Sequence, residues 1–279
     1  MMKNKITFYT LSLVLSLLVT FASAWGIFSA DLYGAETANW KIQAIGQDMV
    51  NLYLIVPVLL VSSYFAGQGN NFFKFLHSGV LLFLAYTYAI YCFSVHFNSL
   101  FIIYCLTFGI SIYSFIYFLL THAPLEAKPG LYNSTAARLV GIFFIMVAIT
   151  FYGLWLGEII PAVMKGLVPV SLGETGLMTN PVHVLDLSLI LPGMILLAVF
   201  LFRGRPVAVL LTPVLLVFCV LMDINIAVLI VIMKQKGLNS TLTTAGIMGA
   251  LAVVGAVLLY LFLFHRNKKQ SKAVHYENQ

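Results

Sequence analysis

Nine carboxylates occur in a chain of 279 residues, and their positions say more than their number. Five of them, Asp31, Glu36, Glu126, Glu174 and Glu277, fall in polar connections or at the end of the chain. The other four are embedded in apolar sequence: Asp48 at the start of one stretch, Glu158 near the end of another, Asp186 at the start of the next and Asp223 well inside the one after it. An ionised side chain inside a bilayer costs roughly 2.5–3.5 kcal/mol on insertion scales, so such a group faces a bundle interior or a water cavity and finds a partner there. Asp223 is the deepest of the four, with Asn225 two residues on and Cys219 one helical turn before it.

Helical spacing adds polar neighbours to these carboxylates. Trp40, Gln43, Gln47 and Asn51 recur at i, i+3, i+7 and i+11 beside Asp48, which makes one continuous polar face. His183 and Asp186 are three apart; Tyr88, Cys92 and His96 form an i, i+4, i+8 stripe with Tyr86 and Tyr91 close by; and Trp155 precedes Glu158 by three. The candidate site is therefore Asp48, Asn51, Tyr88, His96, Glu158, His183, Asp186 and Asp223, all expected at one depth.

Carboxylates gathered in one layer of a membrane suit binding of a cation or relay of protons, with histidines titrating near neutral pH. Transport or binding of a small ion or solute, coupled to protons, is the function this predicts. Two histidines on different stretches also suit axial ligation of a b-type haem or a metal centre that activates water, with His96 and His183 as ligands. An intramembrane haem- or metal-dependent enzyme is thus one alternative, and a membrane scaffold or assembly factor, whose polar layer meets a protein or lipid headgroup, is another. No Walker loop, GxSxG elbow, HExxH or GxGxxG after a strand occurs, so the sequence names no reaction, cofactor or metal.

The elements that must position these groups follow from composition. Hydrophobic residues make up 61% of the chain and charged ones 9%, against roughly 45–50% and about 25% in a soluble domain, too few charges to cover a water-facing surface. Eight apolar stretches, near 6–28, 48–66, 74–95, 99–121, 138–161, 183–202, 206–232 and 243–264, are each long enough to cross about 30 Å of hydrocarbon as a helix. This predicts an all-α integral membrane protein, a bundle of eight transmembrane helices in one polytopic domain over 1–264, with a basic tail at 265–279. Its surroundings are then the lipid bilayer, and the net charge of +6 belongs to topology and not to nucleic acid.

Placing both termini in the cytoplasm puts eleven of the 15 Lys and Arg residues inside and leaves Lys41, Lys165, Lys234 and Lys236 outside, the bias expected in a cell membrane. All four embedded carboxylates then fall in the outer half. Lys3 and Lys5 before an apolar run ending in Ala22-Ser23-Ala24 also fit a cleaved signal peptide, which would leave seven spans. Cys92, Cys105 and Cys219 lie within apolar stretches with no CxxC spacing, which implies no disulfide framework.

Shifting the chain by 135 residues lays NLYLIVP, from Asn51, over DLSLILP, from Asp186, with four of seven positions identical. Phe65 meets Phe200 and Gly69 meets Gly204 at the same offset. The expectation is a parallel duplication of four spans, with halves 1–137 and 138–264. The second and sixth spans would be equivalent, each kinked at a proline, Pro57 or Pro192, and the site would lie between the halves.

Overall fold

The computed structural model describes residues 2–122 and 135–277, with side chains from 9 to 121 and from 135 to 263; Glu126, Lys128 and the side chains of Lys3, Lys5 and the basic tail lie outside the described residues. The helices are α1 (Met2–Phe28), α2 (Ala38–Val50), α3 (Val56–Gly67), α4 (Asn71–Ser94), α5 (Phe101–His122), α6 (Thr135–Lys165), α7 (Val170–Thr175), α8 (Pro181–Leu185), α9 (Leu191–Phe202), α10 (Pro206–Gln235) and α11 (Leu242–Glu277). A π-helical turn, Asn51–Ile55, fuses α2 to α3, and another, Asp186–Ile190, fuses α8 to α9. Eight helices long and apolar enough to cross a membrane result, at the eight expected stretches, and no strand occurs among the described residues. The fold is an all-α membrane bundle.

The second span starts earlier than its apolar core, at Ala38 instead of near 48. Thr37 caps it, its hydroxyl accepting from the Trp40 amide at 3.3 Å. The polar face of Trp40, Gln43 and Gln47 is thus part of the helix and packs toward α10. The first span is a full member of the bundle: Leu15, Val19, Ala22 and Ser23 are buried, and α1 packs on α2, α3 and α5. Cleavage after Ala24 would remove all four from the core.

Helices α4 and α10 pack against each other at the centre; α4 also meets α3, α5 and α8, and α10 meets α2, α9 and α11. Several polar residues buried away from the site are satisfied locally. Ser16, Ser78, Thr107 and Ser111 each donate to the carbonyl four residues back at 2.7–2.8 Å, so their hydroxyls carry no desolvation penalty in the apolar interior.

Both π turns have the same cause. Pro57 and Pro192 lack an amide proton, and their rings crowd the carbonyl four residues back. Widening the preceding turn relieves this, with the Val56 amide donating to Asn51 O and the Leu191 amide to Asp186 O, five residues back in each case. The expected kinks therefore take the form of widened turns within continuous helices.

The 135-residue offset recurs in the backbone. α3 and α9 begin and end at positions 135 apart, and so do the starts of α4 and α10. The turns after α3 and α9 each hold a glycine at positive φ, Gly69 at 95° and Gly204 at 63°. Both turns are closed by an amide donating five residues back, Asn70 to Phe65 and Arg205 to Phe200. Packing repeats too: α1 meets α3 and α5 as α6 meets α9 and α11, and α2 reaches α10 as α8 reaches α4.

Candidate functional site

One end of the bundle carries α7 and the connections 29–37, 95–100 and 236–241. Thr37 Oγ1 donates to Glu174 O at 3.2 Å and Thr175 O at 2.9 Å, joining the first connection to α7. The candidate residues all lie toward this end, but the packing sorts them into separate groups.

Asp186 and Asp223 share a cavity of about 200 Å³ between α4, α6, α8, α9 and α10. Asp186 opens the π turn of the sixth span, and its carboxylate accepts from Tyr86 Oη at 2.9 Å and from Trp155 Nε1 at 3.0 Å. Those two donors, from α4 and α6, hold it as a fixed hydrogen-bonded group. Asp223 differs. It projects from the middle of α10, is 8% exposed, and its carboxylate receives no hydrogen bond among the described residues. Among the described residues no Lys, Arg or His lines this cavity.

Glu158 and His183 border it through Trp155. The His183 ring packs on the indole with centroids 4.4 Å apart, and its Nε2 lies 4.0 Å from Glu158 Oε2. Glu158 Oε1 in turn accepts from the Ser171 amide of α7 at 2.9 Å. On its other side His183 borders an open groove of about 460 Å³ with Asn180 and Ser188.

Asp48 and Tyr88 belong to a second group, packed against α1 and α5. Asp48 is 1% exposed and accepts from Tyr33 Oη at 2.6 Å and Tyr91 Oη at 2.9 Å. Tyr88, Tyr91 and Tyr104 form a ring cluster with centroids 5.0–6.1 Å apart. Gly26 of α1 lies against the carboxylate so closely that a Cβ there would overlap Asp48 Oδ2. Burial first, and then the Asp48 carboxylate, push the Tyr33 phenol well above its ordinary range, so it remains a donor.

An amide chain lies between these groups. Asn225 Nδ2 donates to Gln47 Oε1 at 2.7 Å, and Gln47 Nε2 donates to Asn51 Oδ1 at 3.1 Å. It runs beside a cavity of about 190 Å³ lined by Trp40, Gln43, Gln47, Tyr91 and Asn225, which shares Tyr86, Val182, Met222 and Ile226 with the carboxylate cavity.

His96 stands apart. It is 57% exposed at the end of α4, where its amide donates to Glu36 Oε1 at 2.7 Å and its Nδ1 pairs with Glu36 Oε2 at 2.9 Å. That pair ties the 29–37 connection to α4. His96 and His183, the two histidines considered as ligands, thus sit in different sets of contacts, and no group of three or more His, Cys, Asp or Glu suited to a metal occurs among the described residues. All three cysteines are free, with Cys92 Sγ 4.0 Å from Cys105 Sγ.

Sequence reasoning did not find Tyr33, Tyr104 or Glu36, which come from a connection or a neighbouring span and show no helical spacing to their partners. Nor did it find the ring wall of Phe143, Phe151 and Phe218, which in sequence is ordinary apolar helix.

Fold and site together define a multi-pass helical membrane protein with a half-open, carboxylate-bearing cavity between its helices. No family model matches the chain, and no curated protein or solved structure does so either.

Proposed function

We propose that this protein binds a small cation or cationic solute within the membrane and carries it across, with protons as the competing species. The observation that carries this reading is the cavity holding Asp186 and Asp223 with no basic side chain in its wall. Removing an unpaired charge from water is costly unless a counter-charge accompanies it. Among the described residues Asp186 has two donors and Asp223 none, so Asp223 is the group whose charge a cation or a proton matches. Asp186 across the cavity, Tyr86 on α4 and Cys219 on α10 are the titratable groups facing it.

Orientation follows from the basic residues: both termini cytoplasmic, the α7 end outside and the chain in the cell membrane. The repeated backbone geometry at an offset of 135 residues supports two parallel halves, 1–137 and 138–264, with α4 and α10 at their interface. Rocking of one half against the other would expose the cavity alternately to the two sides. In reconstituted vesicles, Asp223→Asn is expected to abolish cation uptake driven by a pH gradient while yield and melting temperature stay near wild type. Uptake equal to wild type in that variant would overturn the reading.

A further inference from the structure

We propose that the ligand of the Asp186–Asp223 cavity is a small organic ammonium ion, an inference that rests on the cation-binding reading above. Five aromatic side chains, Tyr86, Phe143, Phe151, Trp155 and Phe218, line the cavity. Four of them are packed in pairs, Phe151 with Trp155 at 5.7 Å and Tyr86 with Phe218 at 5.5 Å between centroids. Rings in a desolvated site attract a cation whose charge is spread over methyl or methylene groups, and Trp does so best. The indole is held in this wall by its bond to Asp186 Oδ2.

Other ligand classes fit less well. An anion would meet two carboxylates and no cationic side chain. A metal ion such as calcium takes six to eight oxygen ligands, whereas the wall supplies side-chain oxygens only from Asp186, Asp223 and Tyr86. A neutral polyol needs many hydrogen-bonding groups, and the rest of the wall is Val, Ile, Leu and Met together with Cys219. What remains is a monocation with an apolar body. A cavity of about 150 Å³ is filled by benzene, so one of about 200 Å³ takes a ligand of roughly six to ten heavy atoms. The ammonium head pairs with Asp223, which is nine-tenths buried and has no donor among the described residues. The apolar body lies among the rings.

The test is calorimetric binding to the full-length protein in lipid nanodiscs, with choline, its neutral carbon analogue 3,3-dimethylbutan-1-ol, and sodium as separate probes. Choline is expected to bind at least about tenfold more tightly than the alcohol, the margin a desolvated cation–ring site provides. This comparison uses the wild-type chain and does not depend on any variant folding. Asp223→Asn should remove that margin, and Phe151→Leu should weaken choline several-fold more than it weakens sodium. Equal binding of choline and the alcohol, or choline binding unaffected by Asp223→Asn, would overturn the proposal. If sodium or proton binding depends on Asp223 while choline does not bind, the ammonium assignment fails and the cation-binding reading stands. If no cation binds in an Asp223-dependent way, both fail.

Discussion

Gly79 of α4 lies against Val214 of α10, the residue 135 positions further along the chain. A Cβ added at Gly79 would sit 3.1 Å from the Val214 carbonyl oxygen and would overlap the Val217 side chain. The two central helices therefore touch backbone to backbone at this point. Gly79→Ala is expected to destabilise the bundle by about 1–3 kcal/mol through overpacking. Thermal unfolding in detergent checks this, and a melting temperature equal to wild type would mean that the helices part at no cost.

Asp48 is buried with its carboxylate held by two phenols. Removing either donor, by Tyr33→Phe or Tyr91→Phe, leaves part of a buried charge uncompensated and should cost about 1–3 kcal/mol. In a double-mutant cycle with Asp48→Asn the two losses should not add, because both report the same contact.

The same tyrosine predicts an alkaline signature. Burial, and then Asp48, hold the Tyr33 phenol well above its ordinary range. Above about pH 10 the unfolded chain releases this proton while the folded chain keeps it, so the native state binds more protons and its stability falls as pH rises. Melting temperature should therefore drop less steeply above about pH 10 in Tyr33→Phe than in the wild type.

Asp186 is positioned by Trp155 and Tyr86. Trp155→Phe and Tyr86→Phe each remove one donor to an acidic acceptor, and each should lower stability by about 1.5–3 kcal/mol. Both should also weaken cation binding, since Asp186 is then free to leave its place in the cavity wall. Calorimetry with unfolding curves separates the two effects, and cation affinity unchanged in both variants would count against a role for Asp186 in binding.

Gln47 bridges Asn51 of its own span and Asn225 of α10. Gln47→Leu strands two buried amides at once and should destabilise by about 2 kcal/mol or more. Asn225→Leu strands fewer groups and should cost less. The reverse order would show that the bridge is held from Asn225 and not from Gln47.

Eight spans were legible because a transmembrane helix is a local property: about 20 apolar residues must satisfy their own backbone, whatever packs beside them. The four embedded carboxylates were legible for the same reason, since each stands within or at the margin of an apolar stretch. Pro57 and Pro192 likewise marked the places where the helices adjust, because a missing amide proton acts within one turn. Only the tertiary structure decided which groups meet. Residues at one depth read as one site, yet rotation about each helix axis sends Asp48 toward Tyr33 and the α5 side, Asp186 and Asp223 into a shared cavity, and His96 out to Glu36. That rotation is set by close contacts such as Gly79 on Val214 and Gly26 on Asp48, and by the π turn that re-aims Asp186. The two glycine contacts join residues more than 20 positions apart, and no local pattern in the chain encodes them, whereas the π turn follows from Pro192 within its own span.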